Sequence, residues 1–233
     1  LAMFTQPPGT AQSGVGISPP PVVQLQDNLG NPVATSGVGI TASIASGPGG
    51  TLSGGTIALT DVNGRATFGP SNLIITGPTG SYTLQFNGAS LTGVTSSAIS
   101  LTAGSAARVF VTAQPATAQS GVAFTTAPAV QVQDAAGNPV AGAGRSVIVS
   151  LLSGSGTLTG TLTQSTNASG VATFPGLVLT GTIGPRTLLF SSASIASDTT
   201  SAITLTPGTA TALESVQQPT TVVAGQVISP SPT

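Results

Sequence analysis

Apolar and polar residues alternate along most of this chain. In Val23-Gln24-Leu25-Gln26 the apolar side chains fall on every second position, and Val130-Gln131-Val132-Gln133 repeats the pattern. A period of two predicts half-buried β-strands. Val38, Ile40, Ala42 and Ile44 alternate with Gly39, Thr41 and Ser43. Tyr82, Leu84 and Phe86 alternate with Thr83 and Gln85, and Ile99 and Leu101 with Ser100 and Thr102. Turn clusters separate these runs at Asp27 to Pro32, Gly47 to Gly50, Asp61 to Gly64 and Gly77 to Gly80. Helix signals are weak throughout, because 31 Gly and 18 Pro interrupt every apolar stretch. Seven or eight short strands per unit, with turns roughly every 8–12 residues, predict an antiparallel β-sandwich.

The pattern occurs twice and begins a third time. Thr10 to Val15 returns unchanged as Thr117 to Val122, and Gln26-Asp27-Asn28-Leu29-Gly30-Asn31-Pro32-Val33 returns as Gln133-Asp134-Ala135-Ala136-Gly137-Asn138-Pro139-Val140. A period of roughly 105 residues is one whole domain, not a solenoid unit. The expected organisation is one sandwich over 1–107, a second over 108–212 and the incomplete start of a third over 213–233. Leu1 aligns with Arg108, inside the array, and no signal peptide is visible, so the N-terminus of the gene product is expected elsewhere. The segment 213–233 is expected to continue the array rather than to donate a strand to a neighbouring subunit. Joints such as Ala103 to Ala107 and Pro207 to Ala210 are brief. Short joints restrict hinge motion and predict a rod-like array.

Composition narrows the functional classes. Only 4% of residues are charged, against about 25% in a typical soluble domain. There is no Lys, and the cations are Arg65, Arg108, Arg145 and Arg186. No basic footprint for nucleic acid exists. A surface with so little charge is poorly repelled from its neighbours, so sugar or adjoining protein is expected to cover it. A mean hydropathy of +0.40 argues against a disordered chain. No unbroken apolar stretch of about 18 residues occurs, so no membrane insertion is expected in this segment. Cysteine and histidine are both absent, which removes disulfides, thiolate chemistry and the usual catalytic base.

Two sets of motifs are similar to a known family. The run Gln-Asp-x-x-Gly-Asn-Pro-Val at Gln26 to Val33 and Gln133 to Val140 resembles bacterial Ig-like domains of the invasin/intimin type. So do Thr60-Asp61-Val62-Asn63-Gly64-Arg65-Ala66-Thr67-Phe68 and its counterpart Thr166 to Phe174. The resemblance covers both full copies and the start of the third. It implies tandem Ig-like sandwiches of the kind that build adhesin stalks, surface filaments and phage decorations. Tyr82 stands where Ig-like sandwiches often place a corner tyrosine. The second copy has Arg186 there, so its corner is either closed differently or Arg186 faces outward.

Candidate chemistry is sparse. Asp27 and Asp134 are the calcium candidates, since carboxylate and amide oxygens suit hard cations. One carboxylate per loop falls short of the roughly six to eight oxygens that calcium takes, so a strand-connecting turn is the favoured reading. Asp61-Val62-Asn63-Gly64 reads as a hairpin turn. Gly47-Pro48-Gly49-Gly50 lacks the lysine and helix of a phosphate loop. Asn167-Ala168-Ser169 fits the N-glycosylation sequon, with chance occurrence weighed above modification. No catalytic residue and no cofactor are expected.

These readings converge on a non-enzymatic structural segment of an extracellular or cell-surface protein, bacterial in type, that assembles with copies of itself into a fibre, sheath or surface layer. Ile148 and Leu152 lie out of phase with Val147, Val149 and Leu151, which predicts apolar side chains on both faces of one strand and contact outside the sandwich core. The alternatives are an adhesin stalk or module that binds glycans or a host receptor, or a phage or virion decoration protein. The few aromatics are read as core residues, which favours a stalk over a binding tip.

Overall fold

The computed structural model describes residues 1–69, 73–213 and 224–225. The start of a third repeat expected over 213–233 therefore lies almost entirely outside the described residues. Every regular element described is a strand. Repeat one contains β1 (Ala2–Thr5), β2 (Thr10–Gln12), β3 (Val22–Gln24), β4 (Gly39–Ser46), β5 (Thr51–Gly54), β6 (Ile57–Leu59), β7 (Arg65–Thr67), β8 (Leu73–Thr76), β9 (Gly80–Gly88), β10 (Val94–Thr95) and β11 (Ile99–Thr102). Repeat two contains β12 (Arg108–Ala113), β13 (Thr117–Gln119), β14 (Ala129–Gln133), β15 (Ser146–Ser153), β16 (Thr157–Thr159), β17 (Thr163–Ser165), β18 (Val171–Thr173), β19 (Val178–Thr180), β20 (Gly184–Ser192), β21 (Ile195–Thr199) and β22 (Ile203–Thr206). The strands are shorter and more numerous than the spacing of turns predicts, because Gly and Ser residues break several of them.

Each repeat is an Ig-like β-sandwich. In repeat one the sheet β1-β3-β7 faces the sheet β2-β11-β9-β4-β6, with β10 on β9 and a separate β5-β8 pair. Nearly all pairings are antiparallel; β2 joins β11 in parallel, as β13 joins β22. Repeat two repeats the plan, but its longer β21 also touches β12 in parallel at Arg108 and Ala196, which links its two sheets into one nine-stranded sheet.

The alternating residues close two separate cores. Ile40, Tyr82, Leu84, Phe86, Ile99 and Leu101 are buried in the first, and Val147, Val149, Leu188, Phe190, Ile203 and Leu205 in the second. At each centre two phenylalanines from opposite sheets meet tilted. Phe68 and Phe86 lie 4.9 Å apart at 53°, and Phe174 and Phe190 5.2 Å apart at 60°, a geometry that favours the aromatic quadrupoles.

Several expectations need correction. Gln24 and Gln131 are not on a solvated face; both are buried. The Gln24 Nε2 donates to the carbonyls of Leu25, Asn63 and Gly64 at 3.1, 3.0 and 3.3 Å, and Gln131 does the same to Val132, Ser169 and Gly170. A buried amide is tolerated because its donors are satisfied. The Asp61 turn is not a simple hairpin. It carries the chain from β6, paired with β4, across to β7, paired with β3, and only one bridge, Thr60 with Ala66, joins its two arms. Phe4 and Phe110 are exposed rather than core. Phe4 alternates with the inward-facing Leu1 and Met3 and, at the bulge between Met3 and Thr5, lies outside beneath the Arg65 guanidinium at 3.6 Å. Phe110 lies 5.5 Å from that of Arg108.

The start of repeat one is also shifted by one position. Ala2 pairs with Gln24, whereas Phe110 pairs with the equivalent Gln131. Leu1 therefore corresponds to Val109, not to Arg108, because Gln6-Pro7-Pro8-Gly9-Thr10 is one residue longer than Gln114-Pro115-Ala116-Thr117. Both glutamines cap the same place, Gln6 Oε1 accepting from the Ser97 amide and Gln114 Oε1 from that of Ser201.

The two corners are closed by different side chains on matching carbonyls. The buried Tyr82 hydroxyl donates to the carbonyls of Gly49 and, at 2.8 Å, Pro78. Burial raises its pKa, which keeps the hydroxyl a donor. Arg186 is 4% exposed and turns inward. Its Nε donates to Ser155 O at 2.9 Å and its Nη2 to Thr182 O at 2.5 Å, with Nη1 on its neighbour Pro185. Gly47 and Gly154 lie flat against these side chains, where a Cβ would meet Tyr82 or Arg186 at 2.4 Å.

Two outcomes follow for stability. Phe86→Ala or Phe190→Ala lowers the unfolding free energy by about 3–5 kcal/mol in denaturant titrations, while Phe4→Ala, with its ring in solvent, lowers it far less. Arg186→Leu strands the Ser155 and Thr182 carbonyls and costs about 1–3 kcal/mol for each. Arg186→Tyr recovers most of that loss if the two corners are interchangeable; equal damage from both variants would refute the equivalence.

Candidate functional site

The candidate site is the joint between the repeats, and it is built from the repeated turn motif. In repeat one Asp27 Oδ1 accepts from the amides of Leu29 at 2.9 Å and Asn31 at 2.8 Å, and Oδ2 accepts from Asn31 Nδ2 at 2.9 Å. Asp134 forms the same turn with Ala136, Asn138 and the Asn138 amide group at 2.9, 2.8 and 2.8 Å. The left-handed backbone at Gly30 and Gly137 (φ 87° and 88°) completes each turn and explains the glycine there.

The environments of the two turns differ sharply. Asp27 and Asn31 are exposed, whereas Asp134 is 2% and Asn138 5% exposed. The second turn is buried because it closes on the end of repeat one. Asn138 Nδ2 donates to Gly77 O at 2.9 Å, Asn138 Oδ1 accepts from the Thr79 amide at 2.9 Å, and Asp134 Oδ2 accepts from the Gly104 amide at 2.7 Å. Ser13 completes the receiving end; its Oγ donates to Gly77 O and accepts from the Gly77 amide. At Gly104 a Cβ would meet Ser13 O at 2.6 Å and Asp134 Oδ2 at 3.2 Å, so close approach fixes glycine at this point of the joint. A cleft beside the clasp is lined by Gly14, Val15, Thr76, Ser105, Ala135 and Ala136.

Electrostatics favour an ionised Asp134. Burial pushes its pKa up, but the hydrogen bonds from the Asn138 side chain and from the Gly104, Asn138 and Ala136 amides outweigh that and hold it below its usual value. The Asn31 side chain holds Asp27 low in the same sense, and the Arg65 amide holds Asp61 low. In both loops weighed as calcium candidates, at Asp27 and Asp134, the aspartate oxygens are engaged by the turn itself. Among the described residues no cluster of three or more acidic side chains could hold a metal ion. Asn167 is exposed at the turn between β17 and β18 and plays the part of Asp61, its Oδ1 accepting from the Ser169 and Val171 amides at 2.9 and 3.0 Å.

The sequence motif located both aspartate turns but not the clasp. Identical motifs have different partners here, and only the second meets the end of a preceding repeat. The one readable signal was the glycine at Gly104, together with Gly208 at the matching position.

A family model described as SMCHD1 Ig-like domain 6 matches residues 5–103. A comparison with curated proteins finds no match. Among solved structures, the chain is similar to the Yersinia pseudotuberculosis adhesin InvE at 20% identity, covering 85% of this chain and 56% of that one with a TM-score of 0.34. Y. pseudotuberculosis InvD is 18% identical over 89% of this chain and 59% of its own, with a TM-score of 0.34. Domains 4–9 of the surface layer protein SbsC are 16% identical over 89% of this chain and 31% of their own, with a TM-score of 0.32. The chain thus spans less than two thirds of each of these structures.

Matched variants isolate the joint from the turn. Asp134→Ala lowers the unfolding free energy by about 1–3 kcal/mol more than the same change at Asp27, because only Asp134 also leaves a buried joint amide without its acceptor. Equal losses in denaturant titrations would refute the clasp. Because the folded-state pKa of Asp134 lies below the reference 3.8, its contribution is fully present above that pH and is lost as pH falls through the folded value. The gap between wild type and Asp134→Asn therefore closes on acidification below about pH 4.

Proposed function

We propose that this chain is a structural, non-enzymatic segment of an extracellular tandem-repeat surface protein, built from Ig-like units of the invasin/intimin kind that it resembles. The repeats stack end to end into a stiff rod, and rods assemble side by side into a fibre, sheath or surface layer. The observation that carries this reading is the clasp. A joint held by Asp134 and Asn138 on Gly77, Thr79 and Gly104 restricts how one sandwich can swing on the next, which a stalk or lattice element needs and a free module does not.

Lateral contact has apolar surface to use. Ile148 and Leu152 are 49% and 54% exposed, and Ile57, Leu59 and Phe110 also face outward. With 4% charged residues, little repulsion opposes packing of such faces. A bacterial cell-surface setting belongs to the same proposal.

Small-angle scattering of the chain is expected to give an elongated particle as long as two sandwiches end to end, and electron microscopy of native material to place the chain in an ordered assembly. Ile148→Glu with Leu152→Glu is expected to suppress that assembly without unfolding the sandwich. A freely bending particle, or native material in which the chain is dispersed as a monomer, would sink the reading. An adhesin binding module is the second reading, favoured by the exposed rings of Phe4 and Phe110 near arginines; glycan or receptor binding abolished by Phe110→Ala would bring it forward.

A further inference from the structure

The Asp27–Asn31 turn is folded as a clasp and closes on nothing among the described residues. Its internal hydrogen bonds match those of the Asp134–Asn138 turn to within about 0.1 Å. In repeat two, three further polar interactions of that turn reach across the joint; in repeat one the corresponding groups of Asp27 and Asn31 face solvent. The tip differs in one telling way. Leu29, 82% exposed, replaces Ala136, which lines the joint cleft with Val15.

The receiving surface also occurs a second time. Ser120 Oγ donates to Gly181 O and accepts from the Gly181 amide, both at 3.2 Å, as Ser13 does at Gly77. Ile183 and Gly208 stand where Thr79 and Gly104 stand in repeat one, and Ile183 and Val122 are 67% and 43% exposed. An apolar rim on this end complements a leucine tip as Val15 complements alanine.

We propose that the Asp27–Asn31 turn is a docking site for the end of a further Ig-like repeat of this chain's own type, which presents one glycine carbonyl and two backbone N–H groups. Asn31 Nδ2 takes the carbonyl, Asn31 Oδ1 and Asp27 Oδ2 take the two amides, and Leu29 covers the apolar rim. The interface is heterologous, so each repeat offers a clasp at one end and a receiver at the other, and the contact propagates along one axis instead of closing on itself. This rests on the proposed end-to-end stacking and names the recognition chemistry of its next joint.

The test joins a second copy of residues 108–212 directly ahead of Leu1 in the full chain. Leu213 and Leu1 both correspond to Val109, so this fusion keeps the native joint length. Hydrogen exchange is read by NMR with the added copy segmentally labelled. The Ile183 and Gly208 amides of the added copy are expected to exchange on the order of tenfold more slowly than those of the original copy. Asp27→Ala removes that protection, and so does Leu29→Glu, which leaves the turn's hydrogen bonds intact but buries a charge at the rim. Core amides of Phe86 and Phe190 stay protected in both variants, showing that the sandwiches are folded. Equal exchange in the two copies, or protection indifferent to both variants, overturns the proposal. The existing joint is scored separately through the Thr79 and Gly104 amides and their response to Asp134→Ala. If that joint holds while the new one fails, only this inference falls.

Discussion

One buried amide group in each sandwich fixes the geometry on which the rest depends. Gln24 and Gln131 sit between strand and turn, and their Nε2 groups bind three carbonyls each. Two of those carbonyls belong to the turn that crosses between sheets, at Asn63 and Gly64 or at Ser169 and Gly170. The third, at Leu25 or Val132, lies just before the aspartate turn. Gly64 and Gly170 approach the carbonyls of Val33 and Val140 so closely that a Cβ would collide at 1.8 and 2.0 Å. The glutamine thus locks the crossing turn against both arms of the aspartate turn, and the clasp leaves the sandwich at a fixed point. At this point of each sandwich a neutral amide does the work of an ion pair without the desolvation penalty of a buried charge, a penalty the chain meets at Arg186 and Asp134 by surrounding each with hydrogen-bond partners.

Alternation made most of the core legible. Tyr82, Leu84 and Phe86 on β9 and Ile99 and Leu101 on β11 are all buried as their phase requires. The failures share a physical cause, which is that a pattern of apolar and polar letters does not record what a polar group touches. Gln24 reads as solvated because it is polar, yet it is buried because the carbonyls it needs are already inside. Arg186 reads as a broken tyrosine corner, yet its length lets it reach the same two backbone sites from the same strand. Phe4 reads as core because it is aromatic, yet it alternates with Leu1 and Met3, which pack on the core, and so faces out.

The site was half legible for a related reason. The motif announces the turn twice in identical terms, and the turn forms twice with nearly identical hydrogen bonds. Only one of them meets a partner among the described residues, because burial of Asp134 and Asn138 comes from the preceding sandwich and not from their own. A repeat read alone would show an exposed Asx-type turn and nothing more. The sequence does contain the other half of the joint at Ser13, Gly77 and Gly104, but those residues are scattered over three loops that converge only in the fold.

The clasp also decides how much the brevity of the joint can accomplish. A short linker limits the distance and the swing between two domains but does not by itself fix their mutual angle. Asn138 removes the remaining freedom because it is held at both ends. Its own backbone amide is bonded to Asp134, and its side-chain amide both donates to Gly77 and accepts from Thr79, so a hinge motion would have to break two bonds at once. Asp134 adds the covalent path itself, since Gly104, whose amide it binds, lies in the connecting segment. Protonation of Asp134 removes the charge that all four of its hydrogen bonds share, those from the amides of Ala136, Asn138 and Gly104 and from the Asn138 side chain, so acid loosens the connecting segment and the turn that presents Asn138 in one step.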